Sequence, residues 1–163
     1  DSLPKGGESL KQPESKELPR PVEILLVEDS PADIALTQEA LLDSKLMNNL
    51  HVVMDGEAAM DFLSRRGRYA AMPRPDLVLL DLNLPRKNGR EVLAEIKKDP
   101  NLSHIPVVVM TVSEDERDIC ESYRLHANCY IKKPVKFGEF IEIVKSIEEF
   151  WFSIVTLPLR CGE

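Results

Sequence analysis

Residues 77–89 read LVLLDLNLPRKNG, and the succession of residue types in that stretch decides the fold. The apolar run 77–80 is stopped by Asp81, a turn carrying Pro85 and Gly89 follows, and then Val92, Leu93 and Ile96 fall on one face of a helix. That helix ends at Asp99, because the residue before Pro100 is pushed out of helical geometry. A short apolar strand, a polar turn and an amphipathic helix make one β/α unit. The layout recurs on either side. Upstream, ILLV at 24–27 gives way to Glu28 and Asp29, after which Ser30 as N-cap, Pro31 in the first helical position and Asp33 in the first turn start a helix that runs to about Leu42. A strand at about 50–54 leads through Asp55 and Gly56 into a helix that buries Ala59, Phe62 and Leu63, and residues 65–75 form a polar loop containing prolines. Downstream, VVVM at 107–110 ends on Thr111 and CYI at 129–131 on Lys132, Lys133 and Pro134, with helices expected near 114–125 and 137–157. About five β/α units without an internal repeat predict a doubly wound parallel α/β sheet.

In an open parallel sheet the carboxyl ends of neighbouring strands converge on one crevice. Here those ends carry Glu28 and Asp29, Asp81, Thr111, and Lys133. Clustered carboxylates repel one another, yet they suit a hard cation that prefers oxygen ligands, Mg2+ above all. Asp81 would sit beside the metal as a nucleophile able to accept a phosphoryl group, with the Thr111 hydroxyl and the Lys133 ammonium completing a cage for its oxygens. Chemistry alone does not choose between Lys132 and Lys133. His51, His104 and His126 fall on different elements and read as structural or surface residues.

A chain of 163 residues holds one full core and a short appendage, with no room for a second effector domain. Its net charge of -7 argues against DNA as a direct partner, since neutralising phosphates takes a basic surface. Cys120, Cys129 and Cys161 are odd in number and lack metal-like spacing, so they read as reduced thiols. No apolar run is long enough to cross a bilayer and no signal-peptide layout opens the chain, so a cytoplasmic protein without membrane attachment is expected. Residues 1–21 are rich in Pro, Gly, Ser, Lys and Glu, a composition that favours a flexible extension.

The C-terminal helix carries more apolar surface than one buried face needs. Phe140, Val144, Ile147, Trp151 and Ile154 make one stripe at helical spacing, and Ile143, Ile147, Phe150, Ile154 and Leu157 make an overlapping one. Phe150, Trp151 and Phe152 are consecutive, so they point across most of the circumference. Such a patch predicts a contact surface, most simply a homodimer whose interface includes Phe150, Trp151, Phe152, Leu157 and Leu159, with Pro158 ending the helix.

The segments VEDS, LLDLNLP, VVVMT and IKKPV, with 30 residues from Asp81 to Thr111 and 22 from Thr111 to Lys133, resemble the receiver domains of bacterial response regulators over roughly residues 22–150. The run IEEFWFSIVTLP at 147–158 further resembles the receiver-only partners of cyanobacterial phytochromes. The resemblance implies a flavodoxin-like receiver fold, a five-stranded parallel sheet in the order 2-1-3-4-5, with the receiver at 22–153 and a C-terminal extension at 154–163. It implies that Asp81 is the phospho-acceptor, that Asp29 and Asp81 ligate Mg2+ (Mn2+ as a substitute), that Glu28 binds the ion through water, and that the backbone carbonyl of Asn83 supplies another oxygen. It selects Lys133, the lysine immediately before proline, and makes Thr111 and Tyr130 a switch pair. The protein would be a phospho-acceptor rather than an enzyme, taking its phosphoryl group from a sensor histidine kinase, a phytochrome by the narrower resemblance, and acting on a downstream signalling protein. Val112 stands where many receivers have a small residue, and its branched side chain should shield the phosphoryl group from water.

Three other readings fit less well. An aspartate-based phosphohydrolase of haloacid-dehalogenase type needs a second acid two residues after the nucleophile, where this chain has Asn83. A flavodoxin-like cofactor carrier needs a hydroxyl- or glycine-rich loop after the first strand, where Glu28 and Asp29 would repel a phosphate. A phosphate-independent adaptor is favoured by nothing, because every site residue is present.

Overall fold

The computed structural model describes residues 21–43, 47–111 and 129–132. The helices expected near 114–125 and 137–157, both terminal extensions, Lys133 and all five residues of the expected dimer interface lie outside them. In chain order the elements are β1 (Val22–Val27), α1 (Pro31–Asp43), β2 (Asn48–Val53), α2 (Gly56–Leu63), β3 (Leu77–Asp81), α3 (Gly89–Lys98), β4 (Val107–Thr111) and β5 (Cys129–Lys132). All strand pairs are parallel and their order is β2-β1-β3-β4-β5. This is the doubly wound sheet that the alternating pattern predicts.

Because successive strand residues point to opposite faces, each apolar run feeds two cores. Leu25 and Val27 of β1, Val78 and Leu80 of β3, and Val107 and Val109 of β4 pack with Phe62 and Leu63 of α2 and Val92, Leu93 and Ile96 of α3. Their alternates Ile24, Leu26, Leu77, Leu79, Val108 and Met110 pack with Ala40 and Leu41 of α1. A strand buried on both faces has no place for polar residues, which is why β3 and β4 read as unbroken apolar runs.

The helices start and stop where local chemistry dictates. Ser30 caps α1, its hydroxyl accepting from the Asp33 N–H at 3.4 Å. Asp55 caps α2 by accepting from the Ala58 N–H at 2.7 Å, and Asn88 caps α3 by accepting from the Glu91 N–H at 3.0 Å. Lys97 and Lys98 lie in the last turn of α3, where the helix dipole favours positive charge. The Lys97 ammonium also donates to the carbonyls of Ile105 and Ser103, at 2.9 and 3.3 Å, and its burial holds it below the ordinary lysine range.

Two details differ from the sequence reading. β2 begins at Asn48, two residues before the expected start, because an edge strand can recruit polar residues through its backbone: Asn48 and Asn49 pair with Val22 and Glu23. The loop at 65–75 contains a short 3-10 turn, Gly67–Tyr69, whose Tyr69 ring packs on Phe62 with centroids 5.4 Å apart. His51 proves structural as expected: its Nε2 lies 2.6 Å from Glu23 Oε2, and Asn49 donates to the other Glu23 oxygen at 2.9 Å, tying β1 to β2 near their amino ends.

Candidate metal and phosphoryl-acceptor site

The sheet register brings the acidic residues together. Val27 is the Cα partner of Leu80, so the residues that follow them, Glu28 and Asp81, end adjacent strands side by side. Asp81 in turn pairs with Met110, which sets the backbone of Thr111 one step beyond it, and Thr111 pairs with Lys132. Asp29, Asp81 and the chain ends of β4 and β5 therefore share one edge of the sheet, as the strand-end pattern predicts. The Thr111 backbone lies at this edge. Tyr130 lies in β5 opposite Val109, one strand further out than β4.

Glu28, Asp29 and Asp81 each present a carboxylate oxygen within 4.8 Å of the other two. Asp29 is exposed, whereas Asp81 retains 7% of its accessible surface and Glu28 only 1%. Buried carboxylates need polar partners, and backbone amides supply some: Ser30 N–H donates to Glu28 Oε1 at 3.1 Å and Asn83 N–H to Asp81 Oδ1 at 2.9 Å. The sequence pattern located Glu28 but not its depth, and the hydrogen bond from Ser30 N–H turns its carboxylate back toward the chain that follows it.

The donor set fits a hard divalent cation. Mg2+ takes oxygens at about 2.0–2.1 Å, so opposite ligands stand about 4.2 Å apart. A group of acceptor oxygens spaced within 4.8 Å can serve one such ion with water filling the remaining positions. No nitrogen or sulfur ligand accompanies these carboxylates in the described group, which matches Mg2+ or Mn2+ better than zinc.

Gly56 and Gly89, which the sequence places only at turns, and Arg86 shape the loop after Asp81. A Cβ on Gly89 would fall 2.6 Å from Leu82 Cα, and one on Gly56 would fall 2.7 Å from the Lys87 carbonyl carbon, so both positions are glycine because backbones meet there. Arg86 adopts a left-handed backbone with φ of 66°. Asp55-Gly56 and the turn carrying Gly89 were legible in the sequence, but nothing local signalled that residue 56 touches residue 87.

Comparison with known proteins agrees with the geometry. The response regulator receiver domain matches residues 24–145. The response regulator Rcp1 of Synechocystis is 54% identical over 138 residues, covering 85% of this chain and 94% of that protein. Among solved structures, the phosphorylated cyanobacterial phytochrome response regulator RcpA superposes with a TM-score of 0.80 at 55% identity, covering 86% of this chain and all of that one. The Mn2+-bound form of Rcp1 superposes with a TM-score of 0.78 at 53% identity, over 85% of this chain.

Proposed function

The chain belongs to the response regulator receiver domains, and from that premise we propose that it is a single-domain response regulator whose Asp81 accepts a phosphoryl group from a histidine kinase of phytochrome type. The observation that carries this reading is the convergence of Glu28, Asp29 and Asp81 at adjoining strand ends. Phosphoryl transfer depends mainly on positioning and on neutralising the charge spread over the moving oxygens. Held by Asp29, Asp81, the Asn83 carbonyl and, through water, Glu28, a Mg2+ ion would supply much of that neutralisation, with Mn2+ as a substitute.

The chain's own residues do the rest. Asp81 retains 7% of its accessible surface and the hydrogen bond from Asn83 N–H to Oδ1 holds its carboxylate, which leaves Oδ2 as the oxygen that would attack the phosphorus. Oδ2 forms the new P–O bond as the N–P bond of phosphohistidine breaks. The electron pair leaves with the imidazole, which takes up a proton. Lys133 pairs with the product's oxygens. The Thr111 hydroxyl swings toward them, and Tyr130 follows as the switch residue. The outcome is a change of surface rather than turnover of a substrate, so the protein is a phospho-acceptor and not an enzyme.

The phytochrome assignment draws on the likeness to Rcp1 and to the phytochrome response regulator RcpA. Among the described residues no helix is long and apolar enough to cross a membrane. A receiver at residues 22–153, a homodimer built on Phe150, Trp151, Phe152, Leu157 and Leu159, and a downstream signalling protein complete the reading. Transfer of labelled phosphate from an autophosphorylated cyanobacterial phytochrome kinase tests it. Rapid loss of label from the kinase and its appearance on this chain are expected; transfer no faster than from an unrelated sensor kinase would contradict the phytochrome assignment.

A further inference from the structure

The loop at 82–88 links Asp81 to α3 and carries Asn83, yet loops of this kind are ordinarily the mobile parts of a domain. Here four contacts restrain it. Its ends are closed by the hydrogen bond from Gly89 N–H to the Leu82 carbonyl, at 3.0 Å. Its middle rests on the first residue of α2, where the Lys87 backbone occupies the space that a Cβ on residue 56 would need. Its strained residue, Arg86, reaches over the start of the same helix, with Nη1 3.7 Å from Glu57 Oε2 and Nε 4.0 Å from Asp55 Oδ2. Asp55 simultaneously caps α2 through its other oxygen. Lys87 adds an ion pair with Glu95 on α3.

A left-handed backbone at a residue with a Cβ persists only where the surroundings over-determine it, and such outliers gather at functional sites. The Arg86 side chain is 68% exposed, so its ion pairs are weak and serve to bias the backbone. The packing of Lys87 on Gly56 is the stronger restraint, because a clash between backbones has no flexible end to yield. Nothing in the phosphoryl chemistry itself calls for α2.

We propose that Gly56 and Arg86 are positioning residues, which brace the loop against α2 and thereby hold Asn83 and Asp81 in the arrangement that binds the divalent cation. The inference rests on the metal-dependent reading of the acidic cluster. It makes the amino end of α2 part of the site's support, so a partner that displaced Arg86 from Glu57 would loosen the metal without touching a ligand.

The test uses the full chain with Gly56→Ala and Arg86→Gly, the latter keeping the left-handed backbone while deleting the side chain. Calorimetric titration with Mg2+ should show affinity lowered about tenfold in Gly56→Ala, within the range that outer-shell substitutions cost. Arg86→Gly should lower it about threefold, the scale of an exposed ion pair. In metal-free protein, amide exchange at Lys87 and Gly89 should quicken in both variants while exchange at Leu25 and Val78 in the strands stays as in the wild type. Mg2+ affinity unchanged in both variants would overturn the proposal even if their stability fell. Should Gly56→Ala fail to fold, Arg86→Gly decides by the same two readouts. A wild type that binds no Mg2+ would instead remove the metal reading, and the brace would then stand or fall on the exchange data alone.

Discussion

Replacing Gly89 by Ala tests whether close backbone approach shapes the acceptor site. The added Cβ would fall 2.6 Å from Leu82 Cα and 3.0 Å from the Asp81 carbonyl carbon. Carbon atoms in contact sit at about 3.5–4.0 Å, so α3 and the end of β3 must part by roughly 1 Å. Overpacking of that kind costs about 1–3 kcal/mol, while replacing glycine in a helix returns about 0.5–1 kcal/mol. The net expectation is a loss of roughly 1 kcal/mol and at most about 2.5 kcal/mol, which at a urea slope of about 2 kcal/mol/M lowers the unfolding midpoint by roughly 0.5 M. Gly67→Ala is the comparison. Its φ of 57° makes alanine there cost a similar amount, about 1–2 kcal/mol, but nothing lies within 4 Å to be displaced. Both variants should therefore lose stability, and only Gly89→Ala should lose Mg2+ affinity, because only there does the Asp81 backbone move. A Gly89→Ala protein as stable as the wild type would refute the packing argument, and equal Mg2+ affinity in the two variants would refute its link to the site.

Asp29→Ala should abolish Mg2+ binding by calorimetry while its unfolding free energy from urea titration in EDTA holds or rises by up to about 1 kcal/mol, the scale of an exposed charge interaction, as carboxylate repulsion is relieved; unchanged affinity would show the pocket misplaced. Burial lowers the Lys97 pKa below the ordinary 10.5, so between the folded value and 10.5 the unfolded chain binds more protons and folding stability rises with pH. Lys97→Met should flatten that alkaline rise in urea midpoint, and parallel pH profiles for the two proteins would count against it. Sedimentation should show a dimer at micromolar concentration that weakens on Phe150→Ala and on truncation after Ser153, since desolvated aromatics at an interface centre contribute about 2 kcal/mol or more each; a wild type monomeric with and without phosphorylation would oppose the interface.

The strands and the acidic cluster were legible because their causes are local. Residues 77–80 and 107–110 are apolar at every position, as strands covered on both faces must be, and each run stops at a polar residue that marks the carboxyl edge. α3 ended at Lys98 because Asp99 precedes Pro100. What stayed hidden depends on distant neighbours. The edge strand β2 gained Asn48 and Asn49 from pairing with β1, which no apolar pattern announces. Glu28 is buried, whereas its sequence context equally fits a solvated strand end. Arg86 adopts its left-handed backbone without being Gly or Asn, the residues that usually signal one, because the contact at Gly56 and the acids at 55 and 57 come from another element.

Metal-dependent phosphorylation of Asp81 is read by intact mass after incubation with acetyl phosphate, with wild type and Asp81→Asn compared in Mg2+ and in EDTA. The account predicts a gain of one phosphoryl group on the wild type in Mg2+ alone, and no gain on Asp81→Asn under either condition. A phosphoryl group that persists on Asp81→Asn, or that forms on the wild type equally well in EDTA, would contradict it.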